Sequence, residues 1–320
     1  MPREDPPEGA GMAGSLAWHR RLGDNFGSVR SRRDPDVPGL PSDLPLPRPL
    51  PASPTRPRRP SDLLRVPLER IGGTSALVAQ HAGGMGFLFV RTLRALVTLQ
   101  VSFRSILQQI HIIGVQSIPI VVVTAILAGI VTSQQGGYQF QGAVPMYILG
   151  SVVTTSVVLE LGPVLTAIVL VGRVGARITA ELGTMKVSEQ IDAYHALGRD
   201  PIALFAAPRI VAGVISVPFL VAIANVIGVL AGMVAARLSA GLGYESFLYG
   251  ARLFWHNWDL FYSLMKAVVF GFAIPFIAIH MGFRTRGGAS GVGRTTTASV
   301  MFMTLTILIL DALFPPLLLQ

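Results

Sequence analysis

Residues Ile210–Ala236 read IVAGVISVPFLVAIANVIGVLAGMVAA, 27 positions without a single charge. At about 1.5 Å per residue, a helix of that length exceeds the ~30 Å needed to cross a bilayer's hydrocarbon core. Four similar runs flank it. Ile112–Thr132 is uncharged over 21 residues. Among Asp, Glu, Lys and Arg, the run 144–172 contains only Glu160, 260–283 only Lys266, and 295–319 only Asp311. The pattern predicts an all-α, polytopic integral membrane protein with five transmembrane helices.

Composition points the same way. Only 13% of residues are charged, against about a quarter in an ordinary soluble domain. Residues 1–65 hold 11 of the 26 basic and 8 of the 17 acidic residues, which leaves 24 charges for the remaining 255 positions. This is a polar segment joined to a lipid-soluble body. The absence of Cys excludes disulfides and thiolate metal sites. A net charge of +9 reads here as basic loops on the cytoplasmic side, not as a nucleic-acid surface.

Three regions are expected. Residues 1–65 mix Pro, Arg, Asp and Gly without an apolar period. They are predicted to be a disordered cytoplasmic tail, and they lack the apolar core of a signal peptide. Residues 66–111 are predicted to form amphipathic helices in the membrane interface. There Arg91, Arg94, Thr98, Ser102, Ser105 and Gln109 fall on one stripe at about 100° per residue. Residues 112–320 form the five-span body.

Loop charges orient the body. The connection Ser133–Ala143 has no Lys or Arg, whereas the next carries Arg173, Arg177, Lys186, Arg199 and Arg209. The third holds Arg237 and Arg252, and the fourth Arg284, Arg286 and Arg294. Positive loops stay inside, so the N-terminus is expected in the cytoplasm and the C-terminus outside it. Gly228 and Gly232, four apart, together with Gly172, Gly175 and Gly183, suit close helix contacts and hint at a homodimer.

Catalytic motifs are weak. Gly288–Thr295 approaches the phosphate-loop pattern but has Arg294 in place of Lys, and it follows a membrane span instead of a strand. It reads as a flexible turn before a Thr-rich helix start. The six His residues form no metal-ligand spacing. No cofactor or metal is expected in this chain, and if ATP is used, the ATPase is a separate protein.

The segment 188–198 is the most informative polar stretch. Ser188 can cap a helix, Glu189 suits its positive end, and Gly198 with Pro201 can end it. The predicted helix, Glu189–Leu197, is about 13 Å long. Ile191, Tyr194 and Leu197 share one face, while Glu189, Gln190 and Asp192 offer polar contacts. It suits a contact that receives force from an ATPase, or equally an interfacial helix under the bundle. Glu160, Lys266 and Asp311 are ionisable groups inside spans, which default to function. Lys266 can pair with either acid. The cluster could be a structural ion pair, a patch for a lipid headgroup or a proton relay.

The blocks Glu160-Leu-Gly-Pro163, Gly172-Arg-Val-Gly-Ala-Arg177, Ala180-Glu-Leu-Gly183-Thr-Met185 and Ser188-Glu-Gln-Ile-Asp192 resemble, in order, the permease subunit of the Mla/Mce-type ABC lipid transporters. Pro208-Arg209, Lys266-Ala-Val-Val-Phe270 and Gly291-Val-Gly-Arg-Thr-Thr296 extend the resemblance over roughly residues 86–315. It implies a homodimeric inner-membrane permease that binds two copies of a cytoplasmic ABC ATPase, which carries ATP and Mg. It also implies a hexamer of MCE-domain substrate-binding protein above, and a phospholipid or other hydrophobic cargo. Ser188–Leu197 matches the family's coupling helix, and Glu160, Lys266 and Asp311 match its intramembrane polar positions. Some relatives have Arg just before the Glu, where this chain has Leu159.

The expected mechanism is an outward-facing apolar cavity at the dimer interface. Its walls would come from Ile126, Ile130 and Val131, from Tyr138 and from the start of span two. Each buried CH₂ contributes about 0.8 kcal/mol, so acyl chains need few directed contacts. The alternatives are a proton-coupled secondary transporter, which five spans without an even inverted repeat disfavour, and a non-transporting membrane scaffold.

Overall fold

The computed structural model describes residues 83–98, 101–140 and 144–318. The expected tail and residues 66–82 of the interfacial segment lie outside them. Helix α1 covers residues 83–97. Helix α2, Phe103–Ile113, is followed by a 3-10 turn, Val115–Ser117, and by α3, Ile118–Gln139. The next rod joins α4, Ile148–Ser156, α5, Gly162–Leu170, and α6, Ala176–Val187, through π-turns at Val157–Leu161 and Val171–Gly175. A short α7, Gln190–Ala196, precedes a third π-turn, Ile202–Ala206, and the long α8, Ala207–Ala240. Helices α9, Tyr244–Leu253, α10, Asn257–Phe283, and α11, Gly288–Leu318, complete the fold. The described residues contain no strand.

Five helical stretches are long and apolar enough to cross a membrane: Phe103–Gln139, Ile148–Val187, Ile202–Ala240, Asn257–Phe283 and Gly288–Leu318. They coincide with the five expected spans but are longer. The straight part of span one starts at Ile118 instead of Ile112, because the backbone bends at Gly114 and Pro119 restarts the helix in its first turn. It continues past Thr132 to Gln139: no proline interrupts Ser133-Gln-Gln-Gly-Gly, and packing buries both glycines, Gly136 against Leu149. Arg173, Arg177 and Lys186 are not loop residues; they sit on the helical continuation of span two. Span four begins three residues early, at Asn257, because His256 and Asp259 form a capping box. The expected flexible turn at Gly288–Thr295 is assigned helical from its first residue; the turn is confined to its very start, where Gly287 and Gly288 have positive φ.

Helix α8 is the hub, packed on α2, α3 and α10, while α10 also packs on α6 and α11. Small residues make these contacts close. A methyl group at Gly129 of α3 would overlap the Gly228 carbonyl of α8, and Gly232 lies against Val153 and the Gly129 carbonyl. The Gly228/Gly232 pair is therefore used within one chain and gives no argument for a homodimer. A buried knot ties three other helices: Thr179 Oγ1 of α6 donates to or accepts from Ser299 Oγ of α11 at 2.8 Å and lies 3.2 Å from the Ala278 carbonyl of α10. Helix α11 is peripheral, with Met301, Leu305, Ile309 and Leu317 exposed.

Candidate functional site: a buried charge cluster, an apolar groove and a short helix

Lys266 of α10 is fully buried. Three oxygens lie around its ammonium, two as hydrogen-bond acceptors and the third, of Asp311, as an ion-pair partner. Glu160 Oε2 lies at 2.7 Å, Asp311 Oδ1 at 2.5 Å and the Leu159 carbonyl at 3.2 Å. The last contact follows from the covalent chemistry of Pro163. Proline has no N–H to give to the carbonyl four residues back, which is Leu159, and that oxygen is the one Lys266 uses. Glu160 sits in the π-turn Val157–Leu161 just before this proline, a type of bulge often found at functional sites. The kink expected at Gly162-Pro163 is thus a local widening of the helix that turns Glu160 and Leu159 toward α10. Lys266 pairs with both acids, not one. The cluster holds two carboxylates and one ammonium, a net charge of −1 when all three are ionised.

Neutral polar groups surround the cluster and were not singled out by the sequence reading. The ring of fully buried Tyr262 lies 5.2 Å from Lys266 Nζ. Asn225 Nδ2 of α8 donates to Ser263 Oγ at 2.9 Å. Single Tyr, Asn and Ser residues are ordinary in helices; the only available signal was that 262 and 263 lie within one turn of Lys266.

On α3 and α8 an open groove of about 600 Å³ is lined by Ile126, Ile130 and Gln134 from the first and by Ile227, Leu230, Val234 and Leu238 from the second. Its exposed wall is almost wholly apolar. Ile126 and Ile130, expected to line a lipid cavity, both line this groove. Val131 and Tyr138 are exposed on α3 but do not line this groove, and the start of span two does not contribute. The second wall comes from span three.

At the end that carries Arg177, Lys186 and Arg209, called the basic end, α7 departs from the expected capping. The hydroxyl of Ser188 donates back to the Thr184 carbonyl at 2.8 Å and so closes α6. Glu189 is the residue before α7 and is the only non-glycine with positive φ, 59°, among the described residues. Gln190 is exposed at the first turn of α7. Gly198 ends the segment with φ 71°, as its identity predicts. The expected common face divides. Ile191 is buried, Tyr194 packs edge-on against Phe205 at 5.2 Å, and Leu197 is 76% exposed. Asp192 accepts from Lys186 Nζ with both oxygens, at 2.8 and 2.9 Å, which ties α7 to α6. A second ion network, absent from the sequence reading, links Arg177 to Glu181 at 2.6 Å and Glu181 to buried Arg209 at 3.0 Å. The i, i+4 spacing of Arg177 and Glu181 signalled the first pair; nothing local signalled Arg209.

A helical bundle with five membrane-length helices, an apolar groove on two of them and ionisable groups locked at its centre defines a polytopic permease. The chain belongs to the MlaE permease family, whose model, described as Permease MlaE, matches residues 106–316. It is similar to a probable ABC transporter permease protein of Rickettsia typhi, 34% identical over 248 residues that cover 78% of this chain and 96% of the relative. A probable ABC transporter permease protein of Synechocystis is 36% identical over 210 residues, 66% of this chain and 80% of the relative. Protein TRIGALACTOSYLDIACYLGLYCEROL 1, chloroplastic, of Arabidopsis thaliana is 32% identical over 212 residues, 66% of this chain and 61% of its own length. The chain is a transporter permease.

Proposed function

We propose that this chain is the membrane subunit of an ATP-driven ABC lipid transporter, working as a homodimer in the inner membrane. The observation that carries this reading is the apolar groove formed by Ile126, Ile130, Ile227, Leu230 and Val234. A surface of this kind holds acyl chains through transfer of CH₂ groups, about 0.8 kcal/mol each, and needs no directed partner. The glycerolipid in the printed name of the Arabidopsis relative supports a lipid cargo. Two copies facing each other would close their grooves into one outward-facing cavity.

Helix α7 is the contact for a cytoplasmic ABC ATPase, which binds ATP and Mg, with one ATPase copy under each permease copy. Exposed Glu189, Gln190 and Leu197 offer the docking surface. Ile191 and Tyr194 anchor the helix, and the Lys186–Asp192 pair transmits its movement to span two. The loops at the basic end lie in the cytoplasm with the N-terminus, and the C-terminus lies in the periplasm beneath an MCE-domain hexamer. The Glu160–Lys266–Asp311 cluster is a structural lock: one fully buried ammonium on α10 holds a carboxylate from span two and another from α11. Its net negative charge also disfavours it as a seat for an anionic headgroup.

The test is purification of the full-length chain from its own operon in mild detergent. Co-purification of an ABC ATPase and an MCE protein, with bound lipid detected by mass spectrometry, is the expected result. A chain that purifies alone and supports no nucleotide-dependent lipid transfer would refute it.

A further inference from the structure

At the basic end, a cavity of about 280 Å³ opens between α1, α7 and the last turn of α10. Part of its wall is apolar and aromatic, with Phe87, Leu88, Ile191, Ile202 and Phe283. Its ionisable lining among the described residues is Arg91, Lys186, Asp192, His195, His280 and Arg284. Among the described lining residues, two arginines and a lysine face one carboxylate, an excess of basic groups whatever the protonation of the histidines. That carboxylate is already engaged, because both Asp192 oxygens accept from Lys186. The Arg91 guanidinium stands 4.8 Å from the centre of the Phe87 ring, so charge and aromatic surface occur side by side. Helix α1 approaches closely here. A methyl group at Gly84 would come within 3.0 Å of the His280 ring and 3.2 Å of an Arg284 guanidinium nitrogen.

A pocket that is half apolar and half cationic selects an anion attached to a hydrocarbon chain. The groove on α3 and α8 uses none of these residues. We propose that this cavity binds a membrane phospholipid with an anionic headgroup, its phosphate among Arg91, Lys186 and Arg284 and its first acyl carbons against Phe87 and Phe283. Inorganic phosphate shares the charge but cannot use the aromatic wall. A phosphate that attracts Lys186 competes with Asp192, so the bound lipid bears directly on the link between α6 and α7. The site would make the short helix responsive to the anionic lipid content of the surrounding leaflet. The binding claim stands apart from the transport reading, since it concerns different residues; its bearing on α7 as a coupling element rests on that reading.

The experiment uses the full-length protein in phosphatidylcholine nanodiscs with a trace of phosphatidylglycerol that carries a diazirine near the headgroup. Cross-linked peptides are mapped by mass spectrometry. Label is expected within residues 83–98 and 186–205. Arg91→Glu is expected to reduce it about tenfold or more, given about 1 kcal/mol per basic residue at an anionic surface and a reversal of sign. Arg252→Glu, on α9, is expected to leave it unchanged. Because charge reversal could disturb the seating of α1, Arg91→Gln at unchanged melting temperature is the second variant, with a reduction of about threefold or more. Equal labelling by the phosphatidylcholine analogue, or full labelling of both Arg91 variants, would overturn the proposal. Abolition of the label by excess inorganic phosphate would assign the site to free phosphate instead and overturn its assignment to a lipid. A protein that transports no lipid but labels as expected would refute the transport reading alone.

Discussion

Replacing Lys266 with Met removes the ammonium and keeps most of the side-chain volume. Two acceptors then lose their donor, and two carboxylates are left without their counter-charge. Removing one partner from a buried ion pair costs about 3–5 kcal/mol. The Glu160 side chain is 43% exposed, so it can reorient or take up a proton, which lowers the expected loss to about 2–4 kcal/mol. For a folded body of this size each kcal/mol corresponds to about 2–4 °C, so the melting temperature should fall by about 5–15 °C. Glu160→Gln is expected to behave differently. It takes the cluster from a net charge of −1 to zero and keeps an oxygen for Lys266, so its cost should stay under about 1 kcal/mol. Neutralising all three positions, Lys266→Met, Glu160→Gln and Asp311→Asn together, should recover at least half of the Lys266→Met loss. The assay is thermal melting of detergent-solubilised protein followed by fluorescence-detected size exclusion. A Lys266→Met protein that melts with the parent, or a Glu160→Gln protein that is the less stable of the two single variants, would refute the lock.

Gly129→Ala should destabilise the bundle by about 1–3 kcal/mol through forced separation of α3 and α8, whereas Gly172→Ala, which meets nothing within 4 Å, should be neutral; paired melting curves decide. Glu189→Lys is expected to abolish co-purification of the ATPase while membrane insertion persists. Glu189→Gly, which relieves a positive φ worth about 1–2 kcal/mol, should leave the protein at least as stable, and so separates the charge from the backbone strain. Ile130→Trp should fill the groove and at least halve co-purified lipid measured by mass spectrometry, with Val131→Trp, outside the groove, as the control.

Whether a feature was legible in the sequence depended on how rare its residues are in lipid. Two charge-free runs longer than 20 residues and three long apolar runs broken by one charge each read as spans, so all five were readable. Their ends were not, because Gly, Gln, Ser and Thr neither continue nor stop a helix on their own, and α3 ran on to Gln139. Three charges in apolar surroundings announced Glu160, Lys266 and Asp311. Their joint geometry depends on a π-turn and a proline that redirect Leu159 and Glu160, and periodicity does not reveal that. The Thr179–Ser299 knot and the Asn225–Ser263 bond join neutral residues far apart in the chain, so neither had a local signal. Ile126 and Ile130, which line the groove, were legible because they lie four residues apart on one helix face. The second wall, on α8, needed the packing of Gly129 on Gly228. The Gly228/Gly232 spacing correctly marked a close contact but could not say whether the neighbour was the same chain or another copy.

The chain has no cysteine, so a single Leu197→Cys substitution reports on α7 without background. Leu197 is 76% exposed. Labelling with a membrane-impermeant maleimide should require permeabilised cells, and the ABC ATPase, when co-expressed, should shield the new thiol. Ready labelling of intact cells would place α7 on the wrong side of the membrane for any cytoplasmic motor and contradict the account.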